Sequence, residues 1–388
     1  MLVRIVYFPD HSLLENTEVL LIGGGLAGLA AALDLADRGR QVTVIERKQY
    51  PFHRVCGEYV SHEVGPYLRR LGADPTPLGP ANISRFRLSS PAGRTLDSAL
   101  DLGGFGVSRY LLDQFLYKLA LARGVQFVLP ATVADVTFDA PADRHHVTLA
   151  DGRQLTARLV LGSYGKRSAL DRQLGRPFFA QRSPYVGVKH HLHLPGFPRD
   201  LIALHNFRDG YAGISAIEDD KLCFCYLTTR ANLKASGTIA AMENQVLAKN
   251  PLLADILGNA ERLYAQPEVI NEISFAAKQP VENHLLMLGD AAGLITPLCG
   301  NGMAMALHGA ALAAPLADQF LRGQLTRSAL EASYARTWQQ QFGARLRVGR
   351  AVQRLFGGPV LSELVVAGLR YAPAAVRALM RQTHGNEF

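Results

Sequence analysis

The part of the sequence that decides the fold is residues 17–47, which read TEVLLIGGGLAGLAAALDLADRGRQVTVIER. Its first apolar run, VLLI at 19–22, is typical of a strand that is buried on both faces. A second apolar run, QVTVI at 41–45, ends at the acid Glu46. Between them, three glycines in G-x-G-x-x-G spacing open an Ala/Leu-rich segment; they are Gly23, Gly25 and Gly28. The glycine motif is flanked by everything that a βαβ unit requires: a strand before it, a helix and a second strand after it, and a terminal acid. The segment therefore predicts a βαβ unit.

Each of these residue types suits the binding of a dinucleotide. Gly23 permits a tight turn, Gly25 lets the backbone approach a pyrophosphate, and Gly28 lets the helix pack close to the strand. The helix N-terminus offers N–H groups and partial positive charge to phosphates. Glu46 can accept hydrogen bonds from an adenosine ribose, and its charge disfavours a 2′-phosphate there. A glycine-rich turn that binds nothing is the less favoured alternative, because all the elements agree.

Length and composition indicate a globular protein with a large core. The chain has 388 residues, of which 48% are hydrophobic, enough for two domains or one elaborated domain. Its four cysteines have neither a disulfide framework nor zinc-finger spacing, which is typical of a reducing compartment. Residues 1–16 lack the layout of a signal peptide, and no uninterrupted apolar stretch of about 20 residues is present. We therefore expect a cytoplasmic protein without a membrane-spanning helix.

The net charge of +8 is concentrated near the C-terminus, where residues 325–388 contain nine Arg, no Lys and three Glu. The simplest interpretation is a solvated basic helix face. The functional alternative is peripheral contact of the C-terminal helices with anionic lipid or with an acidic carrier protein. The sequence contains no recognised nucleic-acid-binding module, so no nucleic-acid partner is predicted.

A group of reactive side chains follows the βαβ unit. Residues 47–59 read RKQYPFHRVCGEY, and Pro51 predicts a loop. Arg54, Cys56 and Glu58 lie within five residues, just beyond the acid that ends the second strand. We predict these three as candidate catalytic residues. The alternative is a polar loop with a structural cysteine.

Another motif spans residues 285–303, which read LLMLGDAAGLITPLCGNGM. A buried strand is predicted to end at Gly289-Asp290, and a glycine-rich turn then opens a long helix. Asp290 is well placed to bind polyol hydroxyls, and the N–H groups of residues 300–303 can face an anion. Such an arrangement would stabilise the negative charge of a reduced flavin. An ordinary strand-turn-helix connection is the alternative.

Two groups of metal-ligand residue types are not predicted to bind a metal. His190, His191 and His193 lie in a predicted strand. His191 and His193 would point to one face of that strand and His190 to the opposite face. No carboxylate that could complete a metal site is near them in the sequence. Cys223 and Cys225 form a C-x-C in another predicted strand, and we interpret them as buried core thiols. No metal site is therefore predicted.

Together these motifs resemble the para-hydroxybenzoate hydroxylase superfamily of FAD enzymes, over roughly residues 17–325. The resemblance is carried by GGGLAGLAAA with Glu46, by SRYLLDQFL at 108–116, and by LGDAAGLITPLCGNGMAMAL at 288–307. The stretch RVCGEYVS at 54–61 is most similar to the geranylgeranyl reductase-like branch, whose members carry a Cys-Gly pair beside the flavin. The cofactor that the resemblance implies is FAD.

The resemblance also implies which residues contact FAD. Val133 would meet the adenine through its backbone, and Arg109 would contact the phosphates or the ribityl chain. Asp290 would bind the ribityl chain, and residues 300–302 would face the pyrimidine edge of the flavin. The complete set of predicted cofactor-binding residues is Gly23, Gly25, Gly28, Glu46, Arg47, Arg54, Arg109, Val133, Gly289, Asp290, Gly300, Asn301 and Gly302.

Two departures from the superfamily pattern limit what it implies. NADPH or NADH is the expected transient electron donor, yet the Asp-Gly pair that helps to bind NADPH is Tyr164-Gly165 here. Lys166 and Arg167 are candidate contacts for a nicotinamide phosphate; the alternative is that both side chains are simply solvated. Trp338 is the only tryptophan, so the W-x-W-x-x-I-P signature of flavin halogenases is absent and halogenation is not predicted.

The predicted architecture is an α/β fold in which a Rossmann-like FAD-binding domain carries an inserted β-rich substrate domain and C-terminal helices. The FAD-binding domain is assigned to 17–60, 105–170 and 281–325. The substrate domain is assigned to 61–104 and 171–280, and the C-terminal helical region to 326–388. Within that region the apolar segment 360–380 is predicted to cover the substrate pocket or to lie on a membrane surface.

The predicted function is that of an FAD-dependent oxidoreductase acting on a hydrophobic small molecule. A monooxygenase (hydroxylase) acting on an aromatic polyketide or quinone precursor is favoured over a geranylgeranyl reductase-like enzyme that reduces isoprenoid C=C bonds. In the reductase, Cys56 or Glu58 would help to deliver a proton. A flavin-binding protein without catalytic activity is a third alternative.

Overall fold

The computed structural model describes residues 15–296, 300–354, 358–383 and 385–388, so the predictions made for residues 1–14 and for Cys299 lie outside the described residues. The strands are β1 (Glu15–Ile22), β2 (Val42–Ile45), β3 (Tyr59–Ser61), β4 (Ala81–Ser89), β5 (Thr95–Gly106), β6 (Gln126–Val128), β7 (Val133–Asp139), β8 (Arg144–Leu149), β9 (Gln154–Gly162), β10 (Tyr185–His193), β11 (Leu201–Phe207), β12 (Gly210–Ala216), β13 (Leu222–Thr229), β14 (Glu261–Arg262), β15 (Glu268–Asn271), β16 (Val281–Glu282) and β17 (Leu285–Met287). The α-helices are α1 (Leu26–Asp37), α2 (Gly65–Arg70), α3 (Arg109–Ala122), α4 (Ala169–Gln173), α5 (Arg230–Ser236), α6 (Ile239–Gln245), α7 (Pro251–Asn259), α8 (Gly302–Leu321), α9 (Arg327–Gln353), α10 (Pro359–Leu369) and α11 (Pro373–Thr383).

The first sheet contains the predicted βαβ unit. Its strands run in the order β16-β17-β9-β1-β2-β6, with β8 pairing β9 and β7 pairing β8. The neighbours from β17 to β6 are parallel, so their C-terminal ends meet at one edge. Residues 19–21 of β1 are fully buried, as the apolar run predicts. Helix α1 is buried along most of its length and packs against α3 and α8.

The second sheet has the order β14-β10-β13-β12-β11-β4-β5-β3, with β15 also pairing β10. Its neighbours are antiparallel except for β4 and β11, which are parallel. One face packs against α6 and α7, through Met242, Leu253 and Ile256. The other face carries Leu88, Leu204 and further apolar side chains that meet the C-terminal helices.

The C-terminal helices α9, α10 and α11 lie against that second face. Val352 of α9, Val366 of α10 and Val376 of α11 are buried in one apolar cluster with Leu88 and Leu204 of the sheet. The segment 360–380 therefore covers apolar side chains of the β-rich half, as one of its two predicted roles requires.

The α/β fold with a Rossmann-like half, a β-rich half and a helical C-terminus is confirmed. Residues 59–60 and 105–106 pair with each other in the second sheet, although the predicted FAD-binding domain included them. The division into domains stays a prediction.

Candidate functional site

A cavity of about 1000 Å³ is lined by both sheets, at the edge where the strands of the parallel sheet end. Its polar part is formed by residues of the three sequence motifs. Its apolar part is formed by the second sheet and the C-terminal helices; the lining there includes Leu88, Leu96, Leu204, Val352, Leu369 and Val376. The volume lies at the upper end of the range for a single small-molecule pocket, about 300–1,000 Å³. We call the two parts the cofactor half and the apolar half.

The glycine turn has the shape that a pyrophosphate requires. Gly23 has φ of +103°, and a Cβ on Gly28 would lie 2.1 Å from the carbonyl oxygen of Gly23. A Cβ on Gly25 would instead project towards the cavity, where its nearest neighbours are guanidinium nitrogens of Arg54 and Arg109, at 3.9 Å each. The turn therefore leaves room between backbone N–H groups and two cations, which fits a diphosphate.

An alternating row of charges lines this part of the cavity. The Arg109 guanidinium forms two hydrogen bonds of 2.7 Å to Asp113, one turn later in α3. Arg54 donates to Asp113 at 3.1 Å and to Glu46 at 3.3 Å. Glu46 also accepts from the backbone N–H of Gly24 at 3.0 Å. The predicted residues Glu46, Arg54 and Arg109 are thus brought together, and Asp113 is a member that the sequence reasoning missed.

The opposite end of the cofactor half is formed by Asp290 and the start of α8. Asp290 lines the cavity, and no donor among the described residues forms a hydrogen bond with its carboxyl. Burial raises its pKa, and the Lys278 ammonium works against that rise. Gly300, with φ of +64°, and Gly302 line the cavity beside it. An unsatisfied carboxyl at a polar cavity wall fits a polyol such as the ribityl chain of FAD.

Two lysines accompany Asp290: Lys166, which the sequence suggested as a contact for a nicotinamide phosphate, and Lys278, which the sequence reasoning missed. Lys278 donates to the backbone carbonyls of Lys166 and Asp290, at 2.7 Å each. Burial lowers the pKa of both Lys166 and Lys278 to about 8. Both therefore bring positive charge to this end of the cavity at neutral pH.

The remaining predicted cofactor residues also line the cavity: Arg47, Val133 and Gly289. Asn301 is buried next to Gly302, at the start of α8, and the cavity lining does not include it. Both ends of the cofactor half thus meet requirements of FAD.

The predicted loop brings Cys56 to the boundary between the two halves. Cys56 is half-buried and lines the cavity, and burial raises the pKa of its thiol, while the nearby Arg109 guanidinium lowers it. The thiol is therefore protonated at neutral pH. Cys225, interpreted from the sequence as a core thiol, also lines the cavity and is half-buried, whereas Cys223 is buried.

Glu58 belongs to the same cavity lining as Cys56, and its side chain is completely buried. It accepts from Lys189 Nζ at 2.5 Å, from the backbone N–H of Arg109 at 2.8 Å, and lies 2.6 Å from His191 Nε2. Burial alone would raise the pKa of Glu58, but the hydrogen bond with His191 and the charge of Lys189 lower it to about 2. An ionised carboxylate with three partners is a poor proton donor, so the geometry favours Cys56 over Glu58 for that predicted role.

The histidines of β10 separate as predicted. His191 meets Glu58, and His190 meets Glu243 of α6 at 2.8 Å. Glu58, His191 and Cys223 lie close enough to share a metal ion. The Lys189 ammonium already contacts Glu58, so this cluster contains its own cation and does not favour a metal.

Tyr164 stands where the superfamily pattern has the Asp of an Asp-Gly pair. Its side chain is half-buried and hydrogen-bonded. Its hydroxyl donates to Asp171 at 3.0 Å and accepts from Arg176 at 3.3 Å, and Asp171 and Arg176 form a buried ion pair of 2.9 Å. The acidic side chain nearest to Tyr164 is therefore Asp171, and its carboxylate is already bound by Arg176 and by the Tyr164 hydroxyl.

Comparison with known proteins gives this geometry a family. Residues 16–341 match the family described as FAD binding domain. The chain belongs to this family. The predicted resemblance to the para-hydroxybenzoate hydroxylase superfamily is confirmed, and geranylgeranyl reductase-like relatives are present. The chain is an FAD-dependent oxidoreductase.

Curated relatives cover most of the chain at low identity. The conditioned medium factor receptor 1 of Dictyostelium discoideum is 26% identical over 87% of this chain and 69% of its own length. The menaquinone reductase of Mycobacterium tuberculosis is 25% identical, over 83% of this chain and 81% of its own. The digeranylgeranylglycerophospholipid reductase of Methanosarcina acetivorans is 23% identical, over 87% and 84%.

Solved structures share the fold. The flavin-dependent halogenase CmlS superposes with a TM-score of 0.73 at 24% identity; 87% of this chain is covered, and the chain spans 64% of CmlS. The probable FAD-dependent monooxygenase PqsL of Pseudomonas aeruginosa gives 0.73 at 18% identity, over 90% of this chain and 99% of its own. None of the described helices has the length and apolar character needed to cross a bilayer.

Proposed function

We propose that this FAD-dependent oxidoreductase is a reductase that saturates C=C bonds of a long hydrophobic substrate of the isoprenoid class. The observation that carries the proposal is the position of Cys56, whose protonated thiol lies where the cofactor half meets the apolar half. Reduction of an isolated double bond requires a hydride for one carbon and a proton for the other. FAD, when bound and reduced, supplies the hydride, and the thiol is the proton donor on this chain.

The chain supports that proton transfer electrostatically. Arg109 lies close enough to the Cys56 sulfur to stabilise the thiolate that remains after the proton leaves. Its guanidinium is fixed by Asp113, so little reorganisation is needed when the charge develops.

The apolar half suits a substrate recognised by shape and burial. Its lining comes from β4, β5, β11 and three C-terminal helices, and its apolar side chains exclude water from the substrate. Two of the relatives named above are reductases whose names specify a quinone and a digeranylgeranyl lipid. Both names fit a pocket of this character.

Hydroxylation, the first prediction from the sequence, is the second candidate. The observation that favours it is the same dry lining, because a water-poor pocket also protects oxygen chemistry. The fold shared with PqsL agrees with it but at 18% identity supports the fold alone.

NADPH or NADH remains the proposed electron donor. Lys166 and Arg167 line the cavity on the loop after β9, where their charges suit a nicotinamide phosphate. Tyr164 bonds to Asp171 in place of the usual acid, so these two cations would carry more of the recognition than in standard NADPH sites.

We also propose a cytoplasmic, membrane-peripheral location. The outer face of α10 exposes Val360, Leu361 and Leu364, with Tyr371 just beyond the helix. Five arginines of the C-terminal helical region have no ion pair to any described residue; they are Arg336, Arg347, Arg350, Arg354 and Arg370. An exposed apolar face and cations on the same group of helices suit an anionic lipid surface, from which a hydrophobic substrate would enter under α10. An acidic carrier protein is the alternative partner. Sedimentation with anionic vesicles, but not with neutral ones, would support the lipid.

The test of the reaction is the identity of the product. FAD-loaded protein is reduced with dithionite under anaerobic conditions and mixed with a menaquinone or a digeranylgeranyl lipid. The proposal predicts flavin reoxidation without oxygen and a product heavier by two hydrogen atoms for each double bond. Conversion that requires oxygen, with an oxygen atom in the product, would overturn the reductase in favour of the hydroxylase.

A further inference from the structure

A cluster formed by Glu58, Lys189 and His191 holds the loop that carries the Cys56 thiol. We propose that these three are positioning residues that set both the location and the proton affinity of the Cys56 sulfur. The consequence for catalysis rests on the proposed reductase function, whereas the effect on the thiol can be measured without any substrate.

The contacts on either side of Cys56 fix the loop in place. Lys189 Nζ donates to the backbone carbonyl of Arg54 at 3.1 Å, as well as to Glu58. The Cys223 thiol donates to the carbonyl of Cys56 at 3.2 Å. Glu58 itself donates its backbone N–H to the Cys56 sulfur at 3.5 Å. The segment from Arg54 to Glu58 is thus tied to β10 and β13 on both sides of the thiol.

The backbone at Glu58 requires such support. Its φ is +55°, in the left-handed region that favours glycine. The glycine of this loop, Gly57, is the residue before it, so a non-glycine residue occupies the left-handed position. The Glu58 side chain is bound from three directions, by β10 twice and by the first residue of α3. Strained backbone persists only where its surroundings determine it, and here the buried side chain supplies that determination.

The same cluster sets the field at the thiol. The charged or titratable groups that face Cys56 are Arg109 from α3, Lys189 from β10, Glu58 from its own loop, and Cys223 and Cys225 from β13. Glu58 raises the pKa of the thiol, whereas Arg109 and Lys189 lower it. Burial contributes most to keeping the proton on sulfur and the carboxylate adds to it, while the two cations stabilise the thiolate once the proton has been given away.

The chain contains a matched control for this interpretation. His190, the neighbour of His191, meets the buried carboxylate Glu243, which also accepts from the Tyr226 hydroxyl at 2.8 Å and from Arg262 at 2.5 Å. This second pair joins the sheet to α6, on the other face of β10. It has similar burial and chemistry, but it makes no contact with the Cys56 loop.

The experiment measures how fast iodoacetamide alkylates Cys56 at different pH values in the FAD-loaded protein, with the modified peptide identified by mass spectrometry. Glu58→Gln removes the negative charge, so the midpoint of the curve of alkylation rate against pH should fall by about one pH unit. Lys189→Met removes a positive charge, so the midpoint should rise by a similar amount. Glu243→Gln should leave it unchanged. Flavin content and spectrum are recorded for each variant to show that the fold and cofactor are retained.

If either single variant fails to fold because it leaves a buried charge unpaired, the double variant Glu58→Gln/Lys189→Met keeps the shape without either charge. It should return the midpoint towards that of the wild type. Shifts of the same sign in the two single variants, or no shift in any, would overturn the inference. Opposite shifts in a protein that reduces no C=C bond would retain the inference and reject the reductase, so the two failures are distinguishable.

Discussion

The two halves of the cavity are built by different means. The cofactor half comes from three short sequence motifs at the ends of parallel strands, with charged groups placed by helix N-termini and glycine turns. The apolar half is assembled from β4, β5, β11, β12 and three C-terminal helices that are distant in sequence. A dinucleotide constrains the backbone closely, so its site leaves a pattern in the sequence. A hydrophobic substrate requires only apolar volume, which many sequences can supply.

The largest expected effect would come from a side chain at Gly28 of the glycine turn, where the closest neighbour is backbone. A Cβ at residue 28 would lie 2.1 Å from the backbone oxygen of Gly23, which cannot move without displacing the turn. We expect Gly28→Ala to destabilise the protein by about 3 kcal/mol or more, the upper range for overpacking, and to abolish FAD retention. The measurement is thermal unfolding together with flavin content. Gly258→Ala in α7, where a Cβ meets nothing within 4 Å, is the control. A Gly28→Ala protein that kept its flavin would contradict the close packing of α1.

Loss of the Asp290 carboxyl should weaken FAD binding while leaving the fold intact. A hydrogen bond to a charged group contributes about 1.5–3 kcal/mol, so Asp290→Ala should weaken FAD retention by about 10- to 100-fold. Asp290→Asn, which keeps one acceptor, should lose less. Equilibrium dialysis of the flavin measures both variants. Equal affinity in all three proteins would remove Asp290 from the cofactor half.

Filling the apolar half should separate substrate from cofactor. Leu204 is nearly buried, lines that half and lies on β11, away from the glycine turn. We expect Leu204→Trp to lower kcat/KM by about tenfold, a loss typical of one well-filled hydrophobic contact, with flavin content unchanged. Leu204→Met preserves the volume and should behave like the wild type. A Trp variant that lost its flavin instead would show that the two halves are not independent.

The boundary between the halves should give the protein a specific acid sensitivity. The pKa of Glu58 is lowered to about 2. Its ionisation therefore contributes stability above the unfolded pKa of about 4, and this contribution is lost as the pH falls from about 4 towards 2. The gap in urea-unfolding free energy between wild type and Glu58→Gln should accordingly narrow over that interval. A gap that stayed constant would mean that the Glu58 charge does not contribute.

Sequence reasoning reached the residues whose partners are close along the chain or fixed by a motif. The glycine turn, Glu46 and Asp290 belong to that group, and Asp113 could have joined it because Arg109 and Asp113 are four residues apart on a helix. The partners of Glu58 could not be reached, because Lys189 and His191 lie 131 and 133 residues away in the sequence, on strand β10. For the same reason His191 looked as if it had no carboxylate. Strand pairing and sheet packing, which no local pattern encodes, decide such contacts.

The central claim is that Cys56 delivers the proton at the boundary between the two halves, and a single-turnover measurement with Cys56→Ala tests it most directly. Reduced, FAD-loaded wild type and variant are mixed anaerobically with the substrate, and flavin reoxidation and product are followed together. Loss of a general acid should slow the reaction by about 100-fold or more, with flavin content unchanged, and Cys225→Ala should have a much smaller effect. A Cys56→Ala protein that forms the reduced product as fast as the wild type would contradict the claim.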